Sequence, residues 1–199
     1  MGWSDDQKEI RDFWTEVYPV RDAAVSQKLM DQSVIWTSKK GEYIAKAGEP
    51  IQEVSFLIDG IAKEIRENTD RIAMISTGRG FLLRCTELTT AKYESPVLSV
   101  VSITECRLLS IPLKVWKECI DRSIDAMMIL IKNINRFSQI NAERNKHIST
   151  DNSREKLEWF LGLYPEIAGK MAKKDVAAFL AIKPETFSRT LKSLKAEKE

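Results

Sequence analysis

Histidine and cysteine are scarce in this sequence. His147 is the single histidine among 199 residues, and Cys85, Cys106 and Cys119 are an odd number of cysteines without a CxxC pair. That spacing argues against a disulfide framework, a zinc site or an iron–sulfur cluster. One histidine leaves little from which to build a Ser-His-Asp hydrolase, so no catalytic and no metal-binding residues are assigned. The cysteines are expected as small buried hydrophobes, and His147 as a hinge-region surface or capping residue. No apolar run approaches the roughly 20 residues that span a bilayer. The opening Met-Gly-Trp-Ser-Asp-Asp lacks the basic-then-apolar order of a signal peptide. A cytoplasmic protein with no membrane partner is expected. Repeats and low-complexity segments are absent, and Gly78-Arg-Gly80 is too short and isolated to be a nucleotide loop.

What is present reads as an ordinary globular protein, with 43% hydrophobic and 30% charged residues. The net charge of +2 hides an asymmetry. Lys170 to Glu199 holds eight basic and four acidic residues, +4, which leaves −2 for the remainder. A basic end on a mildly acidic body suggests a polyanion contact confined to the C-terminus, although a solvated basic surface has the same composition. The tryptophans (Trp3, Trp14, Trp36, Trp116 and Trp159) are scattered, as core and interface residues are, rather than grouped as a stacking platform.

The grain of the sequence changes along its length. Ile10, Phe13, Trp14 and Val17 lie at helical spacing, predicting a helix over Asp5 to Tyr18 that Pro19 ends, and Ala23 to Met30 predicts a second. From Ser33 to Ile111, short apolar runs punctuated by glycine predict strands. The clearest hairpin signal is Val54–Ile58, Asp59-Gly60, Ile61–Ile65, because Asp-Gly suits a two-residue turn. Val97 to Ile103 and Cys106 to Ile111 are the last strands predicted. Pro112 opens a helical region with a break near Asp121-Arg122-Ser123. Beyond it Ile124, Met127, Leu130, Ile131, Ile134 and Phe137 fall on one side at 100° per residue. So broad a face can meet both its own domain and a partner helix, and Met127, Ile131, Ile134 and Phe137 are the expected dimer residues; the alternative is a stripe that simply covers the sheet. The polar cluster Ser149–Ser153 is the candidate boundary before a small all-helical end. The chain is therefore expected to be α+β, divided as 1–122, 123–148 and 149–199.

The informative segment is Lys173 to Leu194. Val176, Ala177 and Leu180 predict the inward side of one helix, Ala181-Ile182-Lys183 a turn, and Pro184 the first position of a second helix. Phe187, Leu191 and Leu194 repeat at four and three, facing the first helix, so the pair predicts a helix-turn-helix unit. Its outer face carries Glu185, Ser188, Arg189 and Lys192, with Thr186 and Lys183 nearby. Arginine can bind guanine O6 and N7 and glutamate can accept from cytosine N4, whereas Lys192 and Lys195 suit phosphates. The alternative is a surface Glu185–Arg189 pair at i, i+4.

With these residues in view, nearly the whole chain resembles the Crp/Fnr transcriptional regulators, in a bacterial, Bacteroidetes-type form. Lys40 to Ile51 and Phe56-Leu-Ile-Asp-Gly60 are similar to the opening strands of that family's cyclic-nucleotide-binding β-roll (a jelly roll), and Val97 to Pro112 to its exit strands. Glu185-Thr-Phe-Ser188-Arg189 matches the recognition-helix pattern E-x-x-S-R, and Glu155 to Ile167 resembles the helix opening the DNA-binding domain. The resemblance implies a homodimer joined through the long helix and bound to a pseudo-palindromic operator in double-stranded DNA. RNA polymerase is the further partner implied, its contacts on surface loops that residue types do not mark.

The resemblance also fails in places. Family members that bind a cyclic nucleotide use a Gly-Glu pair for the ribose and an Arg-Ser or Arg-Thr pair for the phosphate. Here Leu82-Leu83 replaces Gly-Glu, and Glu94-Ser95 stands where the arginine pair belongs. A carboxylate facing a phosphate in a poorly solvated pocket is strongly unfavourable. Arg79 or Arg84 could reach in, but neither sits at the matching position. Leu82, Leu83, Arg84, Glu94 and Ser95 are thus the candidate effector pocket, with no cofactor assigned and cyclic AMP or GMP not expected. The chain stops at Glu199, where the family continues into a two-stranded wing. Two readings stand: a DNA-binding regulator, not an enzyme, and a ligand-binding or protein-interaction module whose helical end docks a protein.

Overall fold

The computed structural model describes residues 4–66, 71–89, 96–167 and 169–197. The first helix, α1 (Asp5–Asp12), opens with a reciprocal cap: Ser4 Oγ accepts the Gln7 N–H and Gln7 Oε1 accepts the Ser4 N–H. It does not continue unchanged to Tyr18. Phe13–Val17 form a π-helical turn, closed by the Tyr18 N–H on the Phe13 carbonyl at 2.9 Å. The wider turn lets two consecutive aromatics face inward, and Phe13 and Trp14 meet Phe56 edge-on with centroids 5.4 and 5.7 Å away. α2 follows (Ala23–Gln32), capped by Asp22.

Among the described residues, eight strands then make two four-stranded antiparallel sheets: β1 (Val34–Ser38), β2 (Tyr43–Ala45), β3 (Glu53–Asp59), β4 (Ile61–Arg66), β5 (Ile72–Thr77), β6 (Phe81–Leu82), β7 (Leu98–Ser102) and β8 (Cys106–Pro112). One sheet has the order β1-β8-β3-β6 and the other β2-β7-β4-β5. The hairpin expected at Asp59-Gly60 does not form. Both strands exist, but β3 pairs with β8 and β6, whereas β4 pairs with β5 and β7. Asp59-Gly60 is a corner that carries the chain between sheets. It nests against the corresponding corner of β7 and β8, where the Ile103 N–H donates to the Ile61 carbonyl at 2.7 Å and Thr104 Oγ1 accepts the Ile61 N–H at 2.9 Å. Val54 to Ile58 are buried on both faces, which a sandwich interior requires and a half-wet hairpin does not.

α3 (Leu113–Arg122) leads to α4 (Ile124–Thr150), a 27-residue helix capped by Ser123. Its buried face is Ala126, Ile129, Leu130 and Asn133. The single stripe read from sequence therefore divides. Leu130 is buried and Ile134 and Phe137 pack on the roll's core, while Ile124 and Ile131 are 72% and 38% exposed beside Met128 at 41%. The buried face is centred on Ala126 and Asn133, which a search for large apolar side chains passes over. The helix also runs through Ser149-Thr150, so the break falls at Asp151-Asn152, where both residues are extended and Asn152 caps the next helix with Glu155.

α5 (Ser153–Leu163), a 3-10 turn (Pro165–Ile167), α6 (Lys173–Phe179) and α7 (Pro184–Ala196) complete the chain. The three cysteines are free and buried. The helical end shares an apolar cluster with the roll: Ile61, Ile72, Ile75 and Ile103 pack with Leu157, Phe160, Val176 and Leu180. Among the described residues no helix is long and apolar enough to cross a membrane.

Gly60 tests the corner. Its φ is +98°, and a Cβ would sit 2.3 Å from the Glu105 carbonyl oxygen, a backbone atom that cannot swing aside. Gly60→Ala is expected to cost at least about 2 kcal/mol in a denaturant titration; a cost near zero would mean that the corners are not packed this closely.

Candidate functional site

Two regions hold the residues singled out from sequence. The first is the α6–turn–α7 pair. α6 ends with the Leu180 N–H on the Val176 carbonyl, and the chain reverses through Ala181 at φ +52°. That left-handed backbone is uncommon for a residue with a side chain, and the Ile182 N–H returns to the Ala177 carbonyl at 3.0 Å to hold it. Phe187 and Leu194 are buried and Leu191 half-buried against α6, as their spacing predicts. This turns Lys183, Glu185, Ser188, Arg189 and Lys192 outward, all exposed, with Thr186 half-buried. Among the described residues Glu185 and Arg189 make no ion pair with each other. The surface-pair alternative is thus not adopted, and the outward side presents a carboxylate, a hydroxyl and three cations together. The side chain of Lys195 lies outside the described residues.

The second region is the roll interior. Leu83 and Arg84 line a cavity of about 200 Å³, with Ser55 and Val100 in its wall and Lys46, Glu49 and Glu53 at its exposed edge. Leu82 is not part of it, since its side chain belongs to the core under α4. Glu94 and Ser95 lie outside the described residues. Of the two arginines able to reach in, Arg84 does so, while Arg79 pairs outside with Glu9 of α1.

Arg84 is committed to buried carboxylates. Its Nε donates to Glu87 Oε2 at 2.6 Å, and its N–H donates to Glu64 Oε1 at 3.0 Å. The other Glu87 oxygen accepts the N–H groups of Val97 and Leu98 at 2.8 and 3.2 Å, tying the two ends of the segment together. Among the described residues, Glu64 Oε2 and Arg84 Nη2 are buried and have no hydrogen-bond partner. Burial pushes the Glu64 carboxyl up to about 7, the charge of Glu87 adding to the rise while the Arg84 N–H and guanidinium oppose it. Burial and the same Glu64 carboxylate push the neighbouring Cys85 thiol up to about 12.

Sequence reasoning missed Glu64, Glu87 and Asn133. A period-two reading of β4 could have found the first, because it places Ala62 and Glu64 on the inward side. Asn133 had no such signal, yet it ties the Gly80–Leu82 turn to α4. Its Oδ1 accepts the Leu82 N–H at 2.9 Å, its Nδ2 donates to Tyr18 Oη at 2.8 Å, and Tyr18 Oη donates to the Gly80 carbonyl at 2.7 Å. At the far end of α4, His147 holds Asp151 at 2.5 Å and stacks on Trp159 of α5 with centroids 4.6 Å apart. It is half-buried at the break between helices, as the hinge reading requires.

The roll and the helical end are also joined by polar contacts. Lys63 Nζ reaches Asp175 Oδ2 at 2.7 Å, with both side chains under one-fifth exposed. Arg144 Nε donates to the Phe179 carbonyl at 2.8 Å while its guanidinium lies 4.5 Å over the Phe179 ring.

No family profile and no curated protein matches the sequence. Solved structures match the fold. A transcriptional regulator of the Crp/Fnr family from Eubacterium rectale superposes with a TM-score of 0.73 at 15% identity, covering 93% of this chain and 87% of that one. FixK2 from Bradyrhizobium japonicum gives 0.71 at 15% identity, covering 83% of this chain and 86% of its own. CLP of Xanthomonas campestris, a c-di-GMP-responsive global regulator, gives 0.70 at 13% identity, covering 89% and 93%. At these identities the likeness establishes the fold, a mixed helix-and-sheet chain with the antiparallel roll of Crp/Fnr regulators.

Glu64 gives the roll interior a pH signature. An acid whose folded value lies above its ordinary 4.5 holds its proton more tightly when folded. Its contribution to stability is complete below that ordinary value and is lost as pH rises through about 7, a loss of up to about 3 kcal/mol. Glu64→Gln keeps an oxygen for the Arg84 N–H, so the variant should be more stable than the parent at pH 8, with the difference closing near pH 4.5. Urea titrations at the two pH values check this, and a pH-independent difference would contradict it.

Proposed function

We propose that this chain is a sequence-specific DNA-binding transcriptional regulator of the Crp/Fnr type, of the Bacteroidetes branch, acting as a homodimer. The observation that carries the reading is the outer face of α7, where Glu185, Ser188 and Arg189 stand exposed at i, i+3 and i+4 near the helix N-terminus, with Lys192 one turn on. A helix presenting its N-terminal side chains on a two-helix platform is how helix-turn-helix proteins enter the major groove. In that pose Arg189 reads guanine and Glu185 accepts from cytosine, and Lys183 and Lys192 reach phosphates. Glutamate on a DNA face is otherwise repelled by phosphate, so its presence favours base reading over general charge attraction. That the solved structures sharing this fold include regulators supports the same class of activity.

The exposed part of the α4 stripe is the proposed dimer seam. Ile124, Met128 and Ile131 recur at four and three on the outward side, a spacing that suits a parallel partner helix. Met127, half-buried beside them, would extend that seam, while Ile134 and Phe137 support it from the core side.

The roll is proposed to sense a ligand other than a cyclic nucleotide, or none. Its cavity of about 200 Å³ is smaller than the roughly 300–1,000 Å³ usual for ligands of drug size. Arg84, the arginine lining it, is already engaged by Glu87. RNA polymerase is the further partner of this reading.

Selection from a random duplex pool tests the DNA step. The parent protein should enrich a pseudo-palindrome with guanine in each half-site, with binding that falls steeply with salt. Arg189→Ala and Glu185→Ala should each lose about 1–3 kcal/mol per half-site and relax the sequence at one position; enrichment identical in parent and variants would refute the assignment. Dimerisation is tested separately. Ile131→Glu with Met128→Glu changes only exposed positions, so it should leave the fold intact and yield a monomer in analytical ultracentrifugation.

A further inference from the structure

The carboxylate of Glu87 is held inside the roll as a bound anion would be. Its Oε2 takes the Arg84 Nε–H at 2.6 Å, and its Oε1 takes the N–H groups of Val97 and Leu98 at 2.8 and 3.2 Å. The two side chains, Arg84 and Glu87, are 7% and 4% exposed. A guanidinium and two successive main-chain N–H groups converging on one carboxylate are the donors that anion sites use, and out of water such contacts are strong. The backbone is bent to bring them together. Arg84 stands at φ +55°, uncommon for a residue with a side chain, and its carbonyl accepts the Glu87 N–H at 2.9 Å.

Little is left there for an anion from outside. Arg84 Nη2 is buried and has no hydrogen-bond partner among the described residues, but a phosphate reaching it would come up against the Glu87 charge. Glu64, close enough to feel both Arg84 and Glu87, would add to that repulsion whenever it is ionised. The arrangement also extends to the long helix. Two residues before Arg84, the Leu82 N–H donates to Asn133 Oδ1 of α4, so the segment that Glu87 closes is the one that meets α4.

We propose that Glu87 is a built-in ligand of the roll: its carboxylate fills the place of an external anionic effector and holds the Arg84 turn, β7 and α4 together with no small molecule added. The occupancy by Glu87 stands by itself. Its consequence, DNA binding that needs no effector, deepens the regulator reading above and rests on it.

Chemical rescue tests the occupancy, with sodium acetate as the probe and thermal unfolding of the full chain as the readout. Glu87→Ala leaves a carboxylate-sized space beside Arg84, so it should melt below the parent, and acetate should raise its melting temperature saturably, by roughly 5 °C beyond the parent's own response. Glu87→Gln fills the space with a neutral group; it should melt below the parent and gain nothing extra from acetate. Glu49→Ala, at the exposed edge of the cavity, should respond as the parent does. Millimolar cyclic AMP should leave the parent's melting temperature unchanged. Equal acetate responses in Glu87→Ala and Glu49→Ala would overturn the proposal. So would a Glu87→Gln variant as stable as the parent, or a saturable shift of the parent by cyclic AMP, and these two decide the matter if Glu87→Ala does not fold. None of these measurements involves DNA, so a parent that enriches no duplex would sink the regulator reading alone. A parent that enriches a duplex only once a small-molecule cell extract is added would overturn the effector independence.

Discussion

One buried amide holds the molecule's long axis in register. Asn133 is the polar residue on the buried face of α4, and an unsatisfied amide there would cost a few kcal/mol. It is satisfied only when the Leu82 N–H, the Tyr18 hydroxyl and its own helix's Ile129 carbonyl are all in place. Apolar contacts alone would allow α4 to slide or rotate by small steps over a roll of leucine and isoleucine. The amide removes that freedom, because each such step breaks hydrogen bonds of a group that is almost wholly buried. The N-terminal π turn, the Gly80–Leu82 turn and the long helix are thereby fixed against one another.

Most of the elements were legible in the sequence, and their pairing was not. The two patterns of helix and strand follow from local periodicity, so α2, α3, α6, α7 and the strand-rich middle stand close to where spacing predicts them. The partner of β3 is set by contacts about 50 residues away, such as Phe56 opposite Leu109, and no local signal reports them. Asp59-Gly60 shows the difference: the dipeptide correctly marks a reversal, but a reversal between sheets and a reversal within one sheet ask for the same residues. The division of the α4 stripe has a similar origin. Hydrophobicity marks where apolar groups are, whereas burial also follows shape, and Ala126 and Asn133 sit where the helix comes close to the roll.

The two candidate sites differ in how far residue types reveal them. The outward set on α7 is short-range, fixed by which of Phe187, Leu191 and Leu194 must face inward, and could be read directly. The roll interior depends on three segments meeting, β4 with Glu64, the turn with Arg84, and Glu87 joined to the start of β7. From sequence, Leu82-Leu83 could mark only a departure from the family's pattern. The structure adds what replaces it, an arginine enclosed by acids, one of which changes charge close to neutral pH.

The length of α4 has a mechanical consequence. Between Asn133 and Thr150 lie about 26 Å of helix at 1.5 Å per residue, and the chain passes from it into the helical end through Asp151 and Asn152. A tilt of roughly 10° about Asn133 would carry the attachment point about 4–5 Å, more than the ~3.4 Å step between stacked bases. Small rearrangements around Leu82 are thus amplified several-fold by the time they reach the start of α5. The Lys63–Asp175 and Arg144–Phe179 contacts act at the far end of this lever, where a weak restraint has its greatest mechanical advantage.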